Sequence, residues 1–216
     1  MKQFLIIGLG TVGRHLTMEF SKQKCETLVL DRSSEAVEEM LKYATSAKVA
    51  DCTVTDVLEN LSVTDFDAVF VCVGGDLRAS LEITSRLKDL GAKRIFASAT
   101  DDIQDKFLRK VGADFIIYPE REVTRRLAVS ESSDRIFDYI ALNDEYAIYE
   151  IVPDKNWIGK SIKSINFRVK YNLNILGYKK ADGIFRATVS PDYLVKADEH
   201  LLVMGSNEDL EKRASR

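Results

Sequence analysis

Short, wholly apolar runs alternate with amphipathic segments along the first 117 residues of the chain. Residues 4–7 and 68–73 contain no polar alternation, which is typical of strands buried on both faces of a sheet. Six such strands that alternate with helices predict an α/β domain with a doubly wound parallel sheet and right-handed crossovers. The strands are predicted at 4–7, 27–31, 47–50, 68–73, 94–97 and 115–117, and the helices at 12–23, 33–43, 55–61, 77–90 and 101–111.

A glycine-rich turn joins the first strand to the first helix, with the spacing Gly8-x-Gly10-x-x-Gly13. Gly8 permits a tight turn, Gly10 lets a pyrophosphate approach the backbone, and Gly13 lets the helix lie close to the strand. Asp31 ends the second strand, where a carboxylate can accept hydrogen bonds from both ribose hydroxyls. This series predicts an adenine-nucleotide site in a Rossmann-like domain. The alternative is a Rossmann-like core with an empty pocket.

Polar and flexible residues also follow the third and fourth strands. Asp51 stands at the end of the third strand, at the sheet edge where ligands bind, so its carboxylate could accept a bond from an adenine amino group. A cap on the helix at 55–61 is an equally open interpretation of Asp51. Gly74-Gly75-Asp76 ends the fourth strand and places flexible backbone at the same edge.

The pattern changes in the last third of the chain. Pro119 begins a predicted helix over 119–129 with acidic residues first and arginines later, the order that the helix dipole favours. Strands at 146–152, 173–178 and 199–204, with a short helix at 161–165, predict a small α+β domain. We therefore divide the chain into domains 1–138 and 139–216, joined by a crossover helix. The second is close to the smallest size that folds alone, so we expect dimerisation to complete its core.

Composition narrows the class of protein. Of the 216 residues, 45% are hydrophobic and 30% charged, with a net charge of −3, so nothing in the bulk charge favours a nucleic acid partner. We expect neither a signal peptide nor a membrane span, because the longest apolar runs are only as long as strands. The widely spaced Cys25, Cys52 and Cys72 are expected to be reduced thiols, and His15 and His200 to be surface or interface residues.

Three further motifs carry a resemblance to a known family. They are GADFIIYPE at 112–120, DEYAIYEIV at 144–152 and GKSI at 159–162. Together with the glycine motif, the acid after the second strand and Ala50-Asp51-x-Thr53, they make nearly the whole chain similar to the RCK family. These regulators of K⁺ conductance are cytosolic gating subunits of Ktr- and Trk-type potassium uptake systems.

The resemblance implies a cytoplasmic, non-enzymatic regulatory subunit, peripheral to the membrane through a membrane-embedded potassium channel or transporter. It further implies homodimers that assemble into an octameric ring, and a hinge near the crossover helix that responds to ATP, ADP or NAD(H). Motif and resemblance together assign nucleotide binding to Gly8, Gly10, Thr11, Val12, Gly13, Asp31, Arg32, Asp51, Cys52, Val73, Gly74 and Arg78.

Two further sites follow only from the resemblance. Glu120 matches an acid that helps to bind a cation between the nucleotide pockets of a dimer, although it could equally be a first-turn acid that stabilises the helix dipole. Arg168, Asn174 and Ile175 match a cyclic di-AMP pocket in the carboxyl-terminal domain. Arg168 and Lys170 would otherwise be ordinary charges that flank a strand.

Departures from the family pattern concern the choice of nucleotide. ATP-responsive members carry an arginine where this chain has Thr11, and a later basic residue is replaced by Ser98. A γ-phosphate needs cationic partners, so preference for ATP over ADP should be weak unless Arg14, Arg32 or Arg78 substitutes. Asp31 argues against NADP, because a 2′-phosphate beside a carboxylate is repelled.

Two other functions remain as alternatives. One is a small NAD-dependent oxidoreductase, although no Tyr-x-x-x-Lys pair and no histidine with a carboxylate partner stands in the sequence to catalyse it. The other is a nucleotide-binding regulator of a different transporter.

Overall fold

The computed structural model describes residues 1–209 and, within them, two compact units that divide between Glu120 and Arg121. The first unit contains one parallel sheet of the order β3-β2-β1-β4-β5-β6. This order and the helices between strands confirm the predicted doubly wound fold. The strands are β1 (Gln3–Ile7), β2 (Glu26–Asp31), β3 (Ser46–Val49), β4 (Ala68–Val71), β5 (Ile95–Ser98) and β6 (Phe115–Ile117). The helices are α1 (Thr11–Lys22), α2 (Ser34–Met40), α3 (Thr55–Glu59), α4 (Leu77–Asp89) and α5 (Asp102–Val111).

Each central strand contributes apolar side chains to the cores on both faces of this sheet. Leu5 and Ile7 of β1 belong to one hydrophobic core, while Phe4 and Ile6 belong to the core on the opposite face. Successive side chains of a strand point to opposite faces, so a strand covered on both sides must be apolar at every position. This is why the strands read as unbroken apolar runs.

Side chains cap three of the helices that begin at the carboxyl edge of the sheet. The oxygens of Ser33, Asp76 and Asp101 accept hydrogen bonds from backbone N–H groups of α2, α4 and α5 at 3.2, 3.0 and 2.7 Å. Helix α1 differs, because its N-cap is Gly10 and no side chain in the described chain caps it. The N–H groups of its first turn are therefore available to a ligand.

The second unit holds a small antiparallel sheet of the order β10-β9-β11-β8-β7 in the described residues. Its core includes Trp157, Phe167, Leu173 and Leu201, all buried. Helix α6 (Pro119–Glu131) begins with the last two residues of the first unit and continues into the second. The other elements of the second unit are β7 (Ile136–Ala141), β8 (Tyr146–Ile151), α7 (Ile162–Ile165), α8 (Phe167–Tyr171), β9 (Asn174–Lys179), β10 (Phe185–Arg186) and β11 (His200–Ser206).

The second unit departs from the sequence analysis in several places, and strand β10 is one that was not predicted. Strand β7 was missed, because an irregularity in its pairing with β8 between Ile136 and Asp138 interrupts the alternation of buried and exposed positions. Arg168 and Lys170 lie in helix α8 rather than beside a strand. Residues 121–138 group with the second unit, whereas the sequence analysis assigned them to the first.

Within residues 1–209, no helix combines the length and the apolar character that a membrane crossing requires.

Candidate functional site

A cleft of about 830 Å³ opens at the carboxyl edge of the parallel sheet. It lies where β1 pairs with β2 on one side and with β4 on the other, the point at which strand order reverses and ligands bind in this class of sheet. The predicted residues Thr11, Val12 and Gly13, which form the first turn of α1, do not line it. The other predicted residues line it, namely Gly8, Gly10, Asp31, Arg32, Asp51, Cys52, Val73, Gly74 and Arg78.

The glycine-rich turn leaves no room for side chains at two positions. Gly8 has a φ of +93°, and a Cβ there would lie 2.7 Å from Val73 Cγ1. A Cβ at Gly13 would lie 1.9 Å from the Gly8 carbonyl oxygen, so the helix packs directly on the turn. Gly10 is different, since its Cβ would meet nothing nearer than 3.8 Å. Its surface is open, and together with the first turn of α1 it forms a cradle that fits a phosphate.

Asp31 joins the end of β2 to this turn. Its Oδ2 accepts a hydrogen bond from the Leu9 N–H at 2.5 Å, and its Oδ1 accepts one from the Ser33 N–H at 2.8 Å. Each carboxylate oxygen has a further lone pair. Asp31 is thus oriented by the backbone and can still accept hydrogen bonds from ribose hydroxyls.

Asp51 is held by a neighbour in its own loop. Its Oδ1 accepts hydrogen bonds from the backbone N–H of Thr53 at 2.9 Å and from the Thr53 hydroxyl at 2.7 Å. These bonds lower the pKa of Asp51, which therefore carries a charge at neutral pH. The helix-cap alternative is wrong, because Val54 is the N-cap of α3 and Asp51 accepts its hydrogen bonds from Thr53, which precedes the helix.

Two thiols form part of the cleft wall. Cys52 and Cys72 are both buried, and burial raises the pKa of each thiol to about 12. For Cys52 the nearby carboxylates of Asp51 and Asp31 raise the pKa further. Both residues are neutral at physiological pH and contribute apolar surface to the cleft.

The arginines proposed as phosphate partners differ in their surroundings. Arg32 and Arg78 are exposed and line the cleft. Arg14 instead donates from Nε to the Leu9 carbonyl at 2.7 Å and pairs with Glu39. Ser98 is buried, and its Oγ would lie 2.9 Å from a Cβ at Gly74. It therefore packs beneath the loop after β4, and of these arginines Arg32 and Arg78 are the ones placed to reach a ligand.

Sequence reasoning missed several residues that shape the cleft. Thr53 and Asp76 line it, and Asp76 caps α4. The signal for Asp76 was present, since an aspartate before an amphipathic run is typical of a helix start. Gln104, which is buried, donates from Nε2 to the Gly74 carbonyl at 3.2 Å and accepts from the Thr100 N–H at 2.9 Å. No local pattern predicts a contact across 30 residues.

The remaining predicted residues lie outside this cleft. Glu120 is the second residue of α6 and is exposed. No group of three or more metal-ligating side chains forms in the part of the chain that the structure describes. In the second unit, Arg168 Nε donates to Asn174 Oδ1 at 3.1 Å, and Ile175 follows in β9. Of the three residues predicted to bind cyclic di-AMP, Arg168 and Asn174 are therefore in contact, while Ile175 is the neighbour of Asn174 in the strand.

Fold and site define a protein with a Rossmann-type domain, a cleft at its switch point and a small antiparallel domain. The family model described as the TrkA-N domain matches residues 4–119, and that of the TrkA-C domain matches residues 146–214. The chain belongs to the family of proteins built from TrkA-N and TrkA-C domains, and this confirms the predicted resemblance to RCK proteins.

Relatives named as potassium uptake proteins match over nearly their whole length. The chain is 32% identical to the Ktr system potassium uptake protein C of Bacillus subtilis (strain 168), covering 98% of this chain and 95% of the relative. It is 34% identical to protein A of the same system, with the same coverage. Identity to the Ktr system potassium uptake protein A of Vibrio alginolyticus is 30%, over 97% of this chain and 94% of that protein.

Solved structures show the same fold at low identity. The GsuK channel superposes with a TM-score of 0.71 at 17% identity, over 97% of this chain and 38% of the channel chain. The GsuK channel bound to NAD gives a TM-score of 0.69 at 16% identity, over 97% of this chain and again 38% of that chain. This chain therefore corresponds to well under half of the channel polypeptide.

Proposed function

We propose that this chain is a cytoplasmic, nucleotide-sensing regulatory subunit of a potassium uptake system. The observation that carries the proposal is the 32–34% identity to Ktr potassium uptake proteins across 98% of the chain. Both domains fall within the match, so it concerns the arrangement of the whole chain and not the Rossmann unit alone.

The proposed ligand is an adenine nucleotide, either ATP and ADP or NAD(H). The cradle at Gly10 suits a pyrophosphate, the oriented carboxylate of Asp31 suits a ribose, and that of Asp51 suits an adenine amino group. The GsuK channel, whose fold is similar, has been solved with NAD. Arg32 and Arg78 are the cations of the cleft wall that would pair with phosphate oxygens.

Regulation requires that the nucleotide bind two states of the protein with different affinity. We place the hinge between those states near α6, in homodimers that assemble into an octameric ring beneath a membrane-embedded potassium channel or transporter. A cation at Glu120 would need ligands from a second chain. Cyclic di-AMP would contact Arg168, Asn174 and Ile175 of the small domain.

The role proposed is binding rather than catalysis, and the rival is an NAD-dependent oxidoreductase. A calorimetric titration with ATP, ADP, NADH and cyclic di-AMP, combined with light scattering, tests the proposal. We expect saturable binding of an adenine nucleotide, a higher melting temperature in its presence, and an assembly larger than a dimer. A stable monomer that no nucleotide stabilises would refute the proposal, and oxidation of NADH by a carbonyl substrate would favour the rival.

A further inference from the structure

The loop that presents Asp51 to the cleft is attached to helix α4 by one side chain. Arg86 donates from Nη1 to the Thr53 carbonyl oxygen at 2.6 Å, although 33 residues separate the two in sequence. Its other terminal nitrogen, Nη2, pairs with Glu82 at 2.7 Å one turn earlier on the helix. Arg86 is partly buried and does not line the cleft. Its contact with the loop is therefore structural support for the site and not part of its surface.

Thr53 connects Arg86 to Asp51 through hydrogen bonds. Its carbonyl oxygen is bound by Arg86, while its N–H and hydroxyl both donate to Asp51 Oδ1. Two donors on one oxygen determine the orientation of the carboxylate. Oδ2 accepts no hydrogen bond from the described residues, so both of its lone pairs remain for a ligand.

The free carboxylate oxygen selects for a hydrogen-bond donor on the ligand. An ionised carboxylate only accepts hydrogen bonds, and adenine presents a donor in its 6-amino group. The hydrogen-bonding to Thr53 that lowers the pKa of Asp51 keeps the carboxylate ionised. A site that orients an acceptor in this way discriminates against a purine that lacks the donor, because the charged group is then left without its partner.

We propose that Arg86 and Thr53 are positioning residues that fix Asp51 for the exocyclic 6-amino group of a purine nucleotide. The inference rests on the proposed nucleotide-binding function and concerns its specificity. Glu82, on the same helix, pairs with Arg86 and so helps to fix the position of its guanidinium group.

The test compares ADP with purine riboside 5′-diphosphate, which lacks only the 6-amino group. Calorimetry gives the ratio of the two dissociation constants for the full-length protein and its variants. We expect the wild-type protein to favour ADP, and Thr53→Val or Arg86→Met to reduce that preference about tenfold, the worth of one charge-assisted hydrogen bond. Thr53→Ser keeps the hydroxyl and should retain the wild-type ratio.

Lys88→Met is the matched control, because Lys88 lies on the same helix and pairs with Asp114 at 3.3 Å, away from the loop. It removes a charge from α4 and should leave the ratio unchanged. The melting temperature of each ligand-free variant reports folding separately. If Thr53→Val and Arg86→Met weaken both ligands equally, or retain the wild-type ratio, the inference is overturned. If the wild-type protein binds neither ligand, the proposed function itself fails.

Discussion

Asp31 Oδ2 lies 2.5 Å from the Leu9 backbone nitrogen and accepts its hydrogen bond, so the acid that ends β2 holds the glycine-rich turn after β1. The Asp31 carboxylate therefore has both a structural role and a proposed binding role. It stabilises the glycine-rich turn, and its remaining lone pairs are open to the ribose of the proposed nucleotide. Ligand affinity and the shape of the turn should therefore change together when Asp31 is replaced.

Asp31→Asn should weaken ADP binding about tenfold or more, because it removes a charge and one acceptor oxygen. It should also reduce discrimination against NADPH, since the repulsion of a 2′-phosphate disappears. Calorimetry with ADP, NADH and NADPH measures both effects. Glu26→Gln at the opposite end of β2 is the control and should bind as the wild-type protein does. Unaltered ADP affinity in Asp31→Asn would contradict the ribose assignment.

Thr11→Arg should strengthen ATP relative to ADP. Thr11 is exposed in the first turn of α1, so an arginine there adds a cation beside the phosphate cradle. One charge-assisted hydrogen bond to the γ-phosphate is worth about tenfold in affinity. The ratio of the two dissociation constants measures the effect, with Thr11→Gln as the uncharged control of similar reach. An equal gain for both nucleotides would show that the new charge does not contact the γ-phosphate.

Gly13→Ala should destabilise the first unit by about 3 kcal/mol or more, because the new methyl group would lie 1.9 Å from the Gly8 carbonyl oxygen and backbone must move. Gly75→Ala is the control, since a Cβ at Gly75 meets nothing within 4 Å. Urea unfolding followed by circular dichroism compares the two. Similar midpoints for both variants would mean that the close packing of α1 on the turn contributes little.

Cys52 and Cys72 should resist alkylation in the folded protein. With a pKa of about 12, each thiol is deprotonated in only about one molecule in ten thousand at pH 8. Cys25 is partly exposed and should react first with iodoacetamide. Peptide mass spectrometry locates the label, and urea should make all three cysteines reactive. Rapid labelling of Cys52 without urea would show that the cleft wall opens readily.

The stability of the second unit should depend on the hydrogen-bonded partners of the buried Glu150 carboxylate. Glu150 is 8% exposed, with His200 Nδ1 at 2.7 Å and Lys179 Nζ at 3.3 Å, so His200 has a carboxylate partner, contrary to the sequence analysis. Lys179→Met removes one partner of a buried carboxylate and should cost about 2 kcal/mol. Adding Glu150→Gln to Lys179→Met should recover part of this loss, because the charge is then gone. Urea unfolding measures both variants, and additive losses in the double variant would show that the two residues are not coupled.

The amino-acid sequence alone determined the parallel sheet and the glycine-rich turn. Short unbroken apolar runs between helical patterns are typical of strands covered on both faces, and the spacing of Gly8, Gly10 and Gly13 allows a tight turn that packs against a helix. Asp31 was found in the same way, from its place at the end of a strand. These signals are local, because they depend on the conformation and burial of adjacent residues.

The tertiary structure decided which residues support the site. Arg86 reaches Thr53 across 33 residues, and Gln104 reaches Gly74 across 30. Whether Asp51 capped helix α3 was also open until the hydrogen bonds from Thr53 were visible. Such contacts depend on how helices α4 and α5 pack on the sheet, which no periodicity in the chain encodes. The sequence identified the residues at the strand ends, whereas the packing of distant elements determined which side chains fix the loops that follow them.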